Sequence, residues 1–127
     1  MSNIHDNEII SYEVDLKNHK IIIHTIQNPG STSTEIVFCD VLAHLFETQL
    51  EGSIIFDVNE YELSYFFKDN HELLEKQKNS CWPMEYDTIE ELTEKLVKEQ
   101  YTYYVVTSSY GLNGWVLAKK YEIMSGK

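Results

Sequence analysis

Apolar residues alternate with polar ones, or form short β-branched runs, through most of the first half of the chain. These patterns predict four strands, over residues 8–16, 21–26, 34–39 and 53–57. The polar stretch 27–33, which contains Pro29 and Gly30, predicts a loop. Residues 41–48 fit either a strand or a helix, and we favour a strand because the run is short and lacks a capping signal.

Helical spacing of apolar residues is clearest after residue 58. A capping box of the form Asn-x-x-Glu begins at Asn59, and the apolar positions that follow it share one face, so we predict a helix over residues 59–77. A second box, Asp-x-x-Glu, begins at Asp87 and precedes another apolar stripe. It predicts a second helix over residues 88–100.

The last quarter of the chain returns to strand composition. Residues 101–107 are rich in Tyr and Val, residues 108–114 hold two glycines and predict a turn, and a final strand begins at Trp115. Strands and helices are segregated along the chain, which is typical of the α+β class.

The chain has 127 residues, of which 43% are hydrophobic, and this is enough to build one buried core without disulfides or metals. We therefore predict a single α+β domain over residues 1–127. Its mostly antiparallel sheet has about six or seven strands, with two consecutive helices packed on it. We expect the ends, residues 1–7 and 124–127, to be loose.

Charge restricts the partners that this chain can bind. It has 21 acidic residues against ten Lys and no Arg, so its net charge is −11. Nucleic acids and anionic membranes both attract basic surfaces, and we expect neither as a direct partner. An acidic field favours a cationic partner, such as a basic protein.

The two cysteines and the first residues of the chain bear on its location. Cys39 falls in a predicted strand and Cys81 in a predicted turn, far apart in sequence. The polar, acidic start does not have the pattern of a secretory signal, and no apolar run has the length of a membrane span. We expect a cytoplasmic protein with reduced thiols.

Five histidines are the main candidates for chemistry. None has the spacing of a metal motif. His24 and His44 fall on predicted strands and could meet, with Asp40 or Glu47, to bind a metal or transfer protons. Ordinary strand positions explain them more simply, and the chain lacks a phosphate-binding loop and a nucleophile elbow. We predict no catalytic residue, no metal and no cofactor.

Two groups of residues are candidates for protein binding. One is the acidic face of the second helix, and the other is the aromatic C-terminal hairpin, whose tyrosines would serve as interface anchors. A solvated helix face and ordinary cross-strand aromatic pairs explain the same residues. The predicted binding residues are Glu90, Glu91, Glu94, Tyr101, Tyr103, Tyr110 and Trp115.

The run Ser-x-x-Gly-x-x-Gly-Trp-Val-x-Ala over residues 108–118, in a short, acidic, Arg-free chain, resembles small uncharacterised proteins of Gram-positive bacteria of immunity-protein type. The resemblance implies a cytosolic binding protein whose acidic surface neutralises a basic toxin such as a nuclease. We therefore expect a non-enzymatic acidic binding protein. The alternative is a small-ligand-binding protein or enzyme with a His and carboxylate pocket on the sheet. A homodimer through the edge of the C-terminal hairpin also stays open.

Overall fold

Eight strands and three α-helices form in the residues that the computed structural model describes, 4–27 and 32–125. The strands are β1 (Glu8–Asp15), β2 (Lys20–Ile26), β3 (Ser33–Cys39), β4 (Ala43–Glu47), β5 (Ile54–Tyr61), β6 (Thr102–Tyr110), β7 (Asn113–Ala118) and β8 (Lys120–Ser125). The helices are α1 (Leu63–Asp69), α2 (His71–Gln77) and α3 (Ile89–Lys98). The α+β class is confirmed, with more strands and one more helix than the sequence predicted.

The strand that we favoured over residues 41–48 is confirmed as β4, but the first predicted helix begins too early. Asn59 is not a helix cap: it lies in β5 and pairs with Val105 of β6. The helical stretch is also divided at Asn70, whose φ of −119° and ψ of 25° are not helical. The Asn70 amide donates to the Phe66 carbonyl at 3.0 Å, and such local side-chain bonds compete with regular helix geometry.

The second predicted helix corresponds to α3, with its capping box one residue further along. The Thr88 side chain, not that of Asp87, accepts from the Glu91 backbone N–H at 3.1 Å. The Glu91 carboxylate in turn accepts from the Asp87 backbone N–H at 2.7 Å. The Glu91 carboxylate also accepts from the backbone N–H of Thr88, the N-cap residue, so Thr88 and Glu91 form the box.

All eight strands belong to one sheet, in the order β4-β7-β6-β5-β1-β2-β3-β8, and every pair is antiparallel. The consecutive strands β3 and β4 pair with the consecutive strands β8 and β7, respectively. The stretch of chain that forms β3 and β4 is interrupted at Asp40, whose φ is +56°. The stretch that forms β7 and β8 is interrupted at Lys119. Both ends of the sheet order are thus built from the same two stretches of chain, and the sheet curls on itself.

The curled sheet encloses the larger of two apolar cores. It is formed by side chains from the inner face of all eight strands, including the fully buried Ile21, Ile23, Phe38 and Val116. Tyr121 of β8 stacks on Phe38, with ring centroids 5.8 Å apart. Alternation along each strand places the intervening residues on the outer face.

The second core lies between the helices and the outer face of β4, β6 and β7. Phe66, Leu92 and Leu96 supply the helix side, and Tyr103 and Trp115 supply much of the sheet side. The indole N–H of Trp115 donates to the Asn70 side chain at 3.0 Å. Asn70 therefore divides the helix and also satisfies the one polar group of a buried tryptophan.

Residues near both ends are packed where the sequence predicted loose segments. Ile4 is fully buried in the larger core, which the curled sheet encloses. The Asp6 backbone N–H donates to the Ile55 carbonyl at 2.9 Å. At the other end, Met124 pairs with Glu35 and belongs to β8. The rest of the predicted ends, and Pro29 and Gly30 of the predicted loop, lie outside the described residues. In the described part of the chain, no helix has the length and apolar character needed to cross a membrane.

Candidate binding surface

The outer face of the sheet is only partly occupied by the helices. The strand residues in the core beneath the helices come from β4, β6 and β7. The outer side of the other half, on β1, β2, β3 and β8, carries a mixture of aliphatic and charged side chains. We call this half the open sheet face, formed by Glu13, Ile22, His24, Glu35, Val37, Glu122 and Met124.

An aliphatic pair lies at the centre of the open sheet face. Ile22 and Val37 are directly opposite each other on β2 and β3. Glu13 is opposite Ile22 on one side, and Glu122 is opposite Val37 on the other. One row across four strands thus runs from carboxylate through two aliphatic residues to carboxylate. A small apolar centre between charged flanks is the arrangement of many protein interfaces.

His24 connects two of the carboxylates on this face. Its Nε2 lies 3.0 Å from the Glu13 carboxylate, and its Nδ1 lies 3.0 Å from the Glu35 carboxylate. A neutral imidazole can donate to one of these carboxylates, and an imidazolium can donate to both. The side chains of Glu13 and Glu35 are 66% and 40% exposed, against 25% for His24, so both carboxylates stay open to a partner.

The charge of the open sheet face changes along its strands. Lys20 and Lys120 both lie opposite Cys39, one on each neighbouring strand, at the end of the face furthest from His24. The carboxylates occupy the middle. A partner with a basic patch is therefore attracted to the middle of the face and repelled by this end, which would favour one orientation.

The predicted aromatic anchors divide into buried and exposed groups. Tyr103 and Trp115 are buried in the second core, where their rings lie 6.0 Å apart. Burial, with the neighbouring Asp69 carboxylate, raises the pKa of Tyr103 to about 12. Tyr101 is half-buried beside the Lys119 ammonium. Tyr110 is the exposed member, so it alone of the four presents most of its side chain to a partner.

The predicted acidic residues of the second helix lie on α3, beyond the second core. Glu90 and Glu94 are exposed. Glu91 has a structural contact, because its carboxylate accepts from the Asp87 backbone N–H and contacts Lys95 at 3.4 Å. The Asp87 N–H and the Lys95 ammonium lower the pKa of Glu91. The structure thus brings neither these acids nor the aromatic residues into the open sheet face.

The two strand histidines face opposite sides of the sheet. His24 points outward, whereas the His44 ring lies against Phe46 of the larger core, with ring centroids 5.3 Å apart and the planes tilted by 54°. Burial lowers the pKa of His44, so its imidazole is neutral at pH 7. Asp40 and Glu47 are exposed. Among residues 4–27 and 32–125, no three His, Cys, Asp or Glu side chains are grouped closely enough to hold a metal ion.

Glu13 and Glu35, the two partners of His24, were not predicted from the sequence. Glu13 is 11 residues before it and Glu35 is 11 residues after it, on the two neighbouring strands. The two predicted strands 8–16 and 21–26 could have revealed Glu13, because the short connection at residues 17–20 pairs them as a hairpin and places Glu13 diagonally across from His24. Glu35 could not be found in this way. Its position next to His24 depends on how β2 pairs with β3, and the length of the loop between these strands does not by itself set their register.

Comparison with known proteins gives no match to a family model, to a curated protein or to a solved structure. What the fold defines is a class: an α+β domain with one curled antiparallel sheet and helices on part of its outer face. The function therefore has to be argued from the surface itself.

Proposed function

We propose that the protein is a non-enzymatic binding protein whose open sheet face binds a basic protein, as an immunity protein binds a toxin. The row from Glu13 through Ile22 and Val37 to Glu122 carries this proposal. Val37 is already buried, so the half-buried Ile22 and the exposed Met124 supply the apolar surface that a partner can bury, and the carboxylates select a cationic partner. The net charge of −11 accelerates the approach of that partner. A cytoplasmic location belongs to the same proposal.

The contacts of His24 support a basic side chain as the central contact of the partner. Its imidazole lies between Glu13 and Glu35 at 3.0 Å from each carboxylate. An Arg guanidinium of the partner would reach the exposed oxygens of both carboxylates and form forked, charge-assisted hydrogen bonds with them. His24 would keep the two carboxylates in position before the partner arrives.

The test compares two triple variants with the same change of net charge. In the first, Glu13, Glu35 and Glu122 of the open sheet face become Lys. In the second, the exposed helix residues Glu72, Glu90 and Glu94 become Lys. Tagged wild-type protein and both variants are used to capture proteins from a lysate of the source organism. We expect wild type and the helix variant to capture the same basic protein, and the sheet variant to lose it.

Two results would contradict the proposal: capture of no basic protein by the wild type, or equal loss of capture in both variants. The second result would show that binding depends on overall charge rather than on this face. Thermal unfolding of each variant is measured alongside, and Glu→Gln versions of the same triples replace any variant that does not fold.

Self-association would use a different surface. In the part of the chain that the structure describes, β4 and β8 stand at the two ends of the sheet order, and such edges can pair with a second copy. A molar mass that stays monomeric with rising concentration, measured by light scattering, would argue against a homodimer. It would leave the binding of a basic protein to the open sheet face unaffected.

A further inference from the structure

A cavity in the helical layer has a lining unlike that of the open sheet face. Its volume is about 320 Å³, and it lies between α2 and the segment that leads into α3. Apolar groups of Phe67, Leu74 and Ile89 form much of its wall, together with the Tyr86 ring. The remaining lining residues carry polar groups: His71, Glu75, Lys78 and Asp87. Small-molecule sites typically combine an apolar wall with a few polar groups, and this volume lies at the lower end of their range.

Tyr86 is the most informative residue of this cavity. Only 8% of it is exposed, yet its hydroxyl forms no hydrogen bond to any residue that the structure describes. Among the described residues no buried side-chain nitrogen or oxygen lacks a partner, so this hydroxyl is open to water in the cavity. A ligand inside the cavity can displace that water and take over its hydrogen bond to Tyr86. Burial, with the charge of Glu75, raises the pKa of Tyr86, so the phenol keeps its proton at pH 7.

The Tyr86 ring is packed in the second core and covered by Lys78. The Lys78 ammonium donates to the Asp87 carbonyl oxygen at 2.6 Å and lies over the Tyr86 ring, 5.4 Å from its centroid. This cation is therefore already engaged within the wall of the cavity. The site is preorganised, because the ring does not have to be fixed when a ligand enters.

Glu75 is the polar group best placed for a charged ligand. Its carboxylate lies 3.9 Å from the His71 imidazole, which is beyond hydrogen-bonding distance, and the side chain is mostly exposed. Among the carboxylate and ammonium groups of the lining, Glu75 and Asp87 outnumber Lys78 by one charge. The lining and the strongly acidic chain both favour a cation over an anion.

From these contacts we propose that the cavity binds a small organic amine with an aromatic or aliphatic body. The body packs against Phe67, Leu74 and Ile89, the ammonium contacts the Glu75 carboxylate, and a polar group of the ligand satisfies the Tyr86 hydroxyl. This site is independent of the proposed function, because the cavity lies in the helical layer and the open sheet face lies on the other half of the sheet.

The experiment uses two probes that share a phenyl group and a two-carbon linker but differ in charge, 2-phenylethylamine and 3-phenylpropionate. Each is titrated into the isotope-labelled protein at pH 7, and backbone amide shifts are followed by NMR. We expect saturable shifts with the amine, at a dissociation constant on the order of 1 mM. They should concentrate at residues 71–78 and 86–89, and the carboxylate probe should bind at least about tenfold more weakly.

Matched variants locate the contact. Glu75→Gln should weaken amine binding about tenfold, and Tyr86→Phe should weaken it by a smaller factor. Glu72→Gln is the control, because Glu72 is exposed on the same helix but does not line this cavity. Equal binding of both probes, scattered shifts, no saturation at millimolar amine, or wild-type affinity in Glu75→Gln would each overturn the proposal. Thermal unfolding confirms that each variant is folded before its affinity is compared.

Discussion

The two halves of the outer sheet surface differ in what lies on them. On β6 and β7, large aromatic side chains such as Tyr103 and Trp115 point outward and are buried by helices. On β1, β2 and β3, the outward positions hold the smaller Ile22 and Val37 among carboxylates. Helix packing on that half would have to bury charges, which is costly without partners. One half is covered by the helices of the chain itself, and the other is the face that we propose for a second molecule.

Of the variants that test this difference, Trp115→Ala should lose the most stability. Trp115 is buried against Phe66 and Tyr103, so the change leaves a cavity in the second core and should lower the free energy of unfolding by about 3–5 kcal/mol. Met124→Ala on the open sheet face is the control, since Met124 is 50% exposed, and should cost less than about 0.5 kcal/mol. Urea unfolding of both variants measures the contrast. Similar losses would mean that the two halves do not differ in this way.

Asn70→Ala tests the polar contact inside the second core. The change removes the acceptor for the Trp115 indole N–H at 3.0 Å and leaves a buried donor unpaired. We expect a loss of about 1–3 kcal/mol in urea unfolding. Asn59→Ala, at an exposed position of β5, should stay within about 0.5 kcal/mol of wild type. If Asn70→Ala costs no more than this control, the indole is not held by Asn70.

High pH should weaken the helix-bearing half through Tyr103. Its pKa is about 12 in the folded protein, above the ordinary value of about 10. Below pH 10 the phenol is protonated in both the folded and the unfolded chain. Above pH 10 the unfolded chain loses the proton first, so stability falls as pH rises towards 12, by on the order of 1–2 kcal/mol.

Ultraviolet titration of phenolate and urea unfolding between pH 9 and pH 12 measure this effect. In Tyr103→Phe, the ionisation step near pH 12 should disappear. The loss of stability between pH 10 and pH 12 should also become smaller. A titration curve unchanged by Tyr103→Phe would show that another tyrosine accounts for this ionisation step.

Local patterns in the sequence predicted much of this fold, because alternation and helical spacing act over a few residues. They placed β4 and the helix that became α3. They misplaced the first helix, because Asn59 forms a plausible cap in isolation and pairing with β6 decides otherwise. They did not predict the division at Asn70, whose side chain both donates to the Phe66 carbonyl and accepts from Trp115, 45 residues away.

The candidate surface was less predictable than the fold, because it depends on contacts between residues that are distant in sequence. The acidic composition was visible in the sequence, but the meeting of Glu13, His24 and Glu35 depends on the register of three strands. The aromatic residues that suggested an interface were correctly placed on a hairpin. The sequence did not show that helices bury Tyr103 and Trp115 on it.

The smallest expected effect on stability is the one that matters most for function. Replacing Glu13 and Glu35 by Gln removes both carboxylates from His24, but because these side chains are largely exposed, we expect a loss of less than about 1 kcal/mol in urea unfolding at pH 7. The same double variant should lose the basic partner captured by wild type. A loss of stability above about 2 kcal/mol would show that the carboxylates are needed to hold the sheet together. They would then resemble Trp115 on the other half, and the distinction between a structural half and a binding half would fail.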